Sequence, residues 1–189
     1  MPAASDLFRA GLLDGVPVAL AGPARQEIAA TLGALGAATR EVEIASDEEA
    51  PPEAADVHAL VFDAAAPFAA SGAPGASAGE LGPLRAAGDA AWIATRAVAN
   101  AAWIEPKAPG GKVVLIAPRP GDGIHAAAAR AALENLSRTL SIEWSRYGIR
   151  TTTITPADAT SDTDVANLVA YLVSRAGDYF SGARLDLRR

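Results

Sequence analysis

Short apolar runs recur along this chain, separated by stretches long enough for a helix, and that alternation restricts the fold more than any other feature. Val16–Ala21 (VPVALA), bounded by Gly15 and Gly22, reads as a buried strand, as do Val57–Phe62 and Lys112–Ile116 (KVVLI). Ile149–Thr155 (IRTTTIT) is β-branched and strand-like. Arg40–Ile44 alternates polar and apolar residues as an edge strand does, and Ala183–Leu187 closes the series.

Helical stretches fall between the runs. Pro23 suits the first turn of a helix whose apolar face is Ile28, Leu32 and Leu35, and Gly36 ends it. Glu80–Trp103 and Ile124–Tyr147 read as long Ala-rich helices, the second stopped at Gly148. Asp162–Ser174 reads as a shorter helix capped by Ser161 or Asp162. Ser46–Asp56 is an acidic connection with room for one helical turn. Ala65–Gly79, rich in Ala, Gly, Ser and Pro, has the composition of a flexible surface loop. Alternating β and α elements predict an α/β fold, a Rossmann-like or flavodoxin-like three-layer α/β/α sandwich with a parallel sheet of about six strands. Its binding crevice lies beyond the carboxyl ends of the strands. At 189 residues, one domain over 1–189 is expected, with 1–14 as an N-terminal arm.

Composition removes several function classes. The net charge of −6 argues against nucleic acid or an anionic membrane as partner. The absence of cysteine excludes disulfides and thiolate chemistry, and no metal is expected. Asp6, Arg9 and Asp14 interrupt any apolar run near the start, and no window is long and apolar enough to span a bilayer. A soluble, cytoplasmic protein is the expectation.

Several segments appear in an order with a familiar counterpart. AAAARAALENLSRTLSIEW over Ala126–Trp144 resembles the active-site helix of the short-chain dehydrogenase/reductase superfamily. GGKVVLIAP resembles that family's strand carrying the catalytic Ser, and DVANLVAYLVSRAGDYFSGARLDL its last helix and strand. LLDGVPVALAG is similar to its first strand, and VHALVFDAA to the strand that usually ends in Asn-Ala-Gly. The LVFDA strand end and the compact spacing are closer still to the non-catalytic, flavodoxin-like N-terminal domain of the large form of 3-oxoacyl-acyl carrier protein reductase.

The resemblance makes the departures informative. The family's Tyr exchanges the proton, and its Lys, four residues later, lowers the Tyr pKa and holds the ribose. Those positions here are Ala126 and Arg130. Arg is too basic to trade protons and differs in shape. His125, next to Ala126, can titrate near neutral pH but points about 100° away on a helix, so it is a weak candidate for acid–base work. The Ser position falls in Ala117-Pro118-Arg119-Pro120, and the helix Asn aligns with Ala87. Asn-Ala-Gly becomes Asp63-Ala64-Ala65; Asp63 is a second weak candidate, a lone carboxylate at the crevice. The phosphate loop keeps one glycine, Gly22, with Arg25 nearby as a possible anion contact and Glu27 opposing phosphate at the helix start. Relative to an intact family member, a strand and helix between Ile44 and Val57 and a substrate lid after Thr155 are missing.

No catalytic group, no cofactor-binding residue and no bound cofactor are therefore expected. The leading expectation is a pseudoenzyme acting as a structural or regulatory subunit. It pairs as a homodimer, or as a heteromer with an active paralogue, through helices 80–103 and 124–147. The resemblance supplies that pairing mode, and Trp92, Trp103 and Trp144 are candidate anchors. The alternative is a divergent NAD(P)-dependent reductase of 3-oxoacyl or other carbonyl substrates using Arg130 and His125. A small-ligand sensor using the vacated crevice is a third reading.

Overall fold

The computed structural model describes residues 4–22, 26–44, 50–72, 79–104 and 110–188. One parallel sheet holds β1 (Pro17–Ala21), β2 (Ala38–Val42), β3 (Ala59–Asp63), β4 (Gly111–Ile116), β5 (Ile149–Pro156) and β6 (Ala183–Leu187), in the order β2-β1-β3-β4-β5-β6. Strands β3 and β4 are buried along their whole length, as near-continuous apolar strands covered on both faces are. The winding reverses between β1 and β3. Register pairs Ala21 with Phe62 and Asp63 with Ile116, so the crevice opens above these strand ends.

Helices α3 (Ala65–Ser71), α4 (Gly82–Val98) and α5 (Ala126–Glu143) cover one face, with a core that includes Leu60, Phe62, Phe68, Leu115 and Leu133. Helices α2 (Gln26–Ala34) and α6 (Asp162–Val173) cover the other, over Val18, Leu20, Val61 and Val114. The stretch read as an N-terminal arm is tied into this second core. It carries α1 (Ala4–Leu7), Leu13 is fully buried, and the Leu13 N–H donates to the Leu35 carbonyl at 2.9 Å.

Several boundaries differ from expectation. Strand β2 starts at Ala38 rather than Arg40, because Gly36 (φ 93°) turns the chain at once and the Ala38 N–H reaches the Val16 carbonyl at 2.9 Å. The segment read as a loop from Ala65 contains α3; residues 73–78 lie outside the described residues. Its alanines are good helix formers, Pro67 sits in the first turn where its missing N–H costs nothing, and buried Phe68 anchors it. The helix expected over Glu80–Trp103 is α-helical only to Val98 and then widens into a π turn, Ala99–Ile104.

That turn ends with Trp103 in the core, its Nε1–H donating to the Val57 carbonyl at 2.8 Å. Trp103 is thus an intrachain anchor, not a partner-facing one. Helix α5 begins at Ala126 rather than Ile124, which stays 90% exposed. A short 3-10 turn, Ser145–Tyr147, leads to Gly148 in the left-handed conformation. Ser161 is the N-cap of α6, its hydroxyl accepting from the Asp164 N–H at 3.1 Å. Pro109 and Lys107 lie outside the described residues.

At the amino ends of the strands, Lys112 is buried. Its Nζ donates to the Val173 and Ser174 carbonyls and pairs with Asp178 at 2.8 Å. Burial lowers the Lys112 pKa and Asp178 opposes that shift. This cation ties β4 to the end of α6, on the side of the sheet away from the crevice.

Candidate functional site

The core between α4, α5 and the end of β4 is packed with methyl groups. Ala117, the residue after β4, Ala126, which starts α5, and Ala87 on α4 are each 0% exposed and belong to one apolar cluster with Phe68 and Ala91. Helix α5 sets Ala126, Ala129 and Leu133 on its inner face by their spacing of three and four. No side chain at these three positions can donate or accept a proton.

Arg130 lies one turn along α5 from Ala126, and its guanidinium is committed to backbone. One nitrogen donates to both the Pro118 and the Pro156 carbonyls, at 2.7 Å each. These carbonyls lie at the ends of β4 and β5, where the chain leaves the sheet and loses its ladder partners. Burial lowers the Arg130 pKa, and Asp186 is the largest opposing influence. A guanidinium does not lose its proton under such conditions.

Arg119 ties two loops at the crevice together. One of its nitrogens donates to the carbonyls of Ala157 (2.7 Å), Asp158 (3.3 Å) and Thr160 (2.6 Å). The other pairs with Asp162 at 3.0 Å. The Gly121 N–H donates to Asp158 at 2.7 Å, and Asp122 accepts from the Arg119 N–H at 2.7 Å. The loop after β4 is thereby laced to the loop after β5. The available signal was an Arg between two prolines just past a buried strand, opposite the short loop 157–161 with carbonyls to satisfy.

The remaining predicted residues have structural surroundings. Asp63 is buried and accepts from the Ala65 N–H at 3.0 Å, which fixes the entry into α3. Gly22 (φ 84°) brings its backbone against β3, and a Cβ there would stand 3.3 Å from the Asp63 carbonyl oxygen. Arg25 lies outside the described residues. Glu27 is held by the Thr163 hydroxyl at 3.1 Å, so a carboxylate is fixed at the start of α2. His125 precedes α5 and is partly buried; its Nε2 is buried with no hydrogen-bond partner among the described residues. Asp63, Arg130 and His125 have separate surroundings: the first accepts from the Ala65 N–H where the chain enters α3, the second clasps carbonyls, and the third borders a cleft beside Phe68 and Pro83.

A cleft of 650 Å³ remains open over the carboxyl ends of β1, β2 and β3, with Phe62, Val42, Ala66, Ala70, Ala90 and Ala94 among its walls. Among the described residues, no group of His, Asp and Glu is arranged to hold a metal ion, and no helix is long and apolar enough to cross a membrane.

Neither a protein-family model nor a curated protein matches this chain. Solved structures do. A citronellol catabolism dehydrogenase of Pseudomonas aeruginosa PAO1 is 21% identical, with 95% of this chain and 96% of that chain covered and a TM-score of 0.70. A short chain dehydrogenase from Mycobacterium smegmatis is 18% identical, with coverage of 95% and 94% and a TM-score of 0.72. An Escherichia coli hydroxysteroid dehydrogenase is 19% identical, with coverage of 94% and 97% and a TM-score of 0.64. The fold is that of the short-chain dehydrogenases.

Proposed function

We propose that this chain is a non-catalytic protein of the short-chain dehydrogenase fold, a structural or regulatory subunit that pairs with a second copy or with an active 3-oxoacyl reductase-like paralogue. The observation that carries this reading is the fully buried apolar cluster of Ala87, Ala117 and Ala126 at the positions where the resemblance would put reactive groups. Arg130, at the Lys position, has its charge spent on two carbonyl oxygens.

The same reading leaves no NAD(P) in the crevice. A dinucleotide needs a helix N-terminus free to meet phosphate, and Glu27 puts a fixed carboxylate there. The lacing by Arg119 also ties together the loops that follow β4 and β5. The sheet order β2-β1-β3-β4-β5 is the flavodoxin order, which supports the narrower likeness to the N-terminal domain of the large 3-oxoacyl reductase.

Pairing is assigned to the outward faces of α4 and α5. Ala127, Ala128, Ala131 and Ala132 are exposed on α5 and let a second helix approach closely. Large apolar groups lie beside them: Trp92, 38% exposed, stacks on Trp144 with ring centroids 6.5 Å apart, and Ile142 is 73% exposed. Two measurements test the proposal. Native mass, alone and with a reductase paralogue, should show an assembly; a lone monomer that never binds the partner would overturn the pairing role. Titration with NADPH should leave the tryptophan fluorescence unchanged; saturable quenching at micromolar levels would restore the reductase reading.

A further inference from the structure

We infer that the crevice is divided, and that its β1–β3 half is a binding site for a compact apolar ligand carrying a positive charge. The inference stands independently of pairing. Over β4 and β5 the protein ties its own loops together: Arg130 clasps the Pro118 and Pro156 carbonyls, and Arg119 holds the 157–160 loop through three carbonyl oxygens. No such lacing crosses the other half among the described residues. There the 650 Å³ cleft lies within the range of small-molecule sites.

Its chemistry is one-sided. Helices α3 and α4 present four alanines and one proline to it, Ala66, Pro67, Ala70, Ala90 and Ala94, so the space between them and the sheet is left open. Phe62 supplies an aromatic surface next to Gly22, whose close approach to β3 leaves no room for a side chain that would cover the ring. Strand β2 turns Val42 inward, and Glu41 and Glu43 stay exposed at the border. The described lining residues include two carboxylates and no Lys, Arg or His. Apolar walls favour burial of a hydrophobic body. The border carboxylates and the ring face both favour a cation and disfavour an anion. A phosphate-bearing ligand is the one this half is least suited to hold.

The test uses two probes of the same shape and opposite sign, tetraphenylphosphonium and tetraphenylborate, titrated calorimetrically into the full chain. The expected result is saturable binding of the cation with at least about tenfold tighter affinity than the anion, as two border carboxylates supply. Ala70→Phe, at an exposed position of α3, fills the cleft and should weaken the cation at least tenfold, with an unchanged melting curve as the check on folding. Glu41→Gln with Glu43→Gln should erase most of the cation–anion difference while the protein's melting curve stays the same. No binding of either probe, equal or reversed preference, or cation binding that ignores both variants would overturn the assignment.

Discussion

The guanidinium of Arg119 stands 3.0 Å from the carboxylate of Asp162, joining the loop after β4 to the first turn of α6. The ion pair itself is half-exposed and contributes little. The carbonyl bonds from the same side chain matter more, because Ala157 and Thr160 have left the β-ladder and their oxygens need donors. Arg119→Met should therefore cost about 2 kcal/mol, and Asp162→Asn less than about 1 kcal/mol. Urea unfolding measures both. Hydrogen exchange over 157–160 should quicken in the Met variant alone; equal effects from the two substitutions would sink the argument.

Placing a Tyr at position 126 and a Lys at position 130 should not create reductase activity. Ala126 is fully buried, so a Tyr ring there must displace the cluster around Ala87 and Ala117. Overpacking of this kind costs about 1–3 kcal/mol or more. Arg130→Lys replaces a planar fork by a point charge and loses the fixed geometry to Pro118 and Pro156. The double variant Ala126→Tyr, Arg130→Lys should be less stable than the parent and show no reduction of 3-oxoacyl thioesters with NADPH. Measurable turnover would show that the buried cluster is not the obstacle.

Gly111 and Trp103 are coupled by contact. A Cβ on Gly111 would stand 2.2 Å from the Trp103 ring, far inside van der Waals distance. Gly111→Ala should destabilise the protein by about 3 kcal/mol or more. Trp103→Leu removes the ring and its bond to the Val57 carbonyl, at a similar cost. The double variant should be more stable than the sum of the single effects by about 1 kcal/mol or more. Simple additivity in a thermal-unfolding cycle would refute the contact.

Asp186 contributes to stability in acid. The carboxyl of Asp186 is pulled down to about 2 from the usual 3.8, first by the hydrogen bond from Thr155, then by Arg188 and Arg184, against partial burial. Between those values the folded chain holds fewer protons on this group than the unfolded chain does. Its contribution is therefore complete above about 3.8 and is lost as pH falls towards about 2. Asp186→Asn should flatten the fall in urea midpoint over that window and leave other carboxylates to account for the rest. An unchanged slope would remove Asp186 from the acid transition.

The strands were legible because continuous apolar runs such as Val113–Ile116 cannot face water on either side. Helix α6 was legible for a different reason, its hydroxyl cap at Ser161. Helix α3 was not, because Ala, Ser, Gly and Pro serve loops and short helices alike, and only the burial of Phe68 decides. The departures at Ala126 and Arg130 could be read as losses, yet what Arg130 gains could not. Its two carbonyl partners lie 12 and 26 residues away and are set by the sheet. Arg119 was invisible for the same reason: its partners are backbone oxygens, which no side-chain pattern records.

Ile142 separates pairing from folding. It is 73% exposed on the outward side of α5, in the same helix as the exposed alanines and two residues before Trp144. A large apolar side chain left in water on a helix flanked by a stacked tryptophan pair is a feature of surfaces that meet another chain. Ile142→Glu makes no intrachain contact worse, so the unfolding free energy should stay within about 0.5 kcal/mol of the parent at matched low concentration. In an assembly the same change buries a carboxylate against apolar surface, and the dissociation constant should rise at least about tenfold. Sedimentation across a concentration series reads this directly. A variant whose assembly is as tight as the parent's would move the interface off α5, and one that fails to fold would mean that Ile142 serves the intrachain core after all.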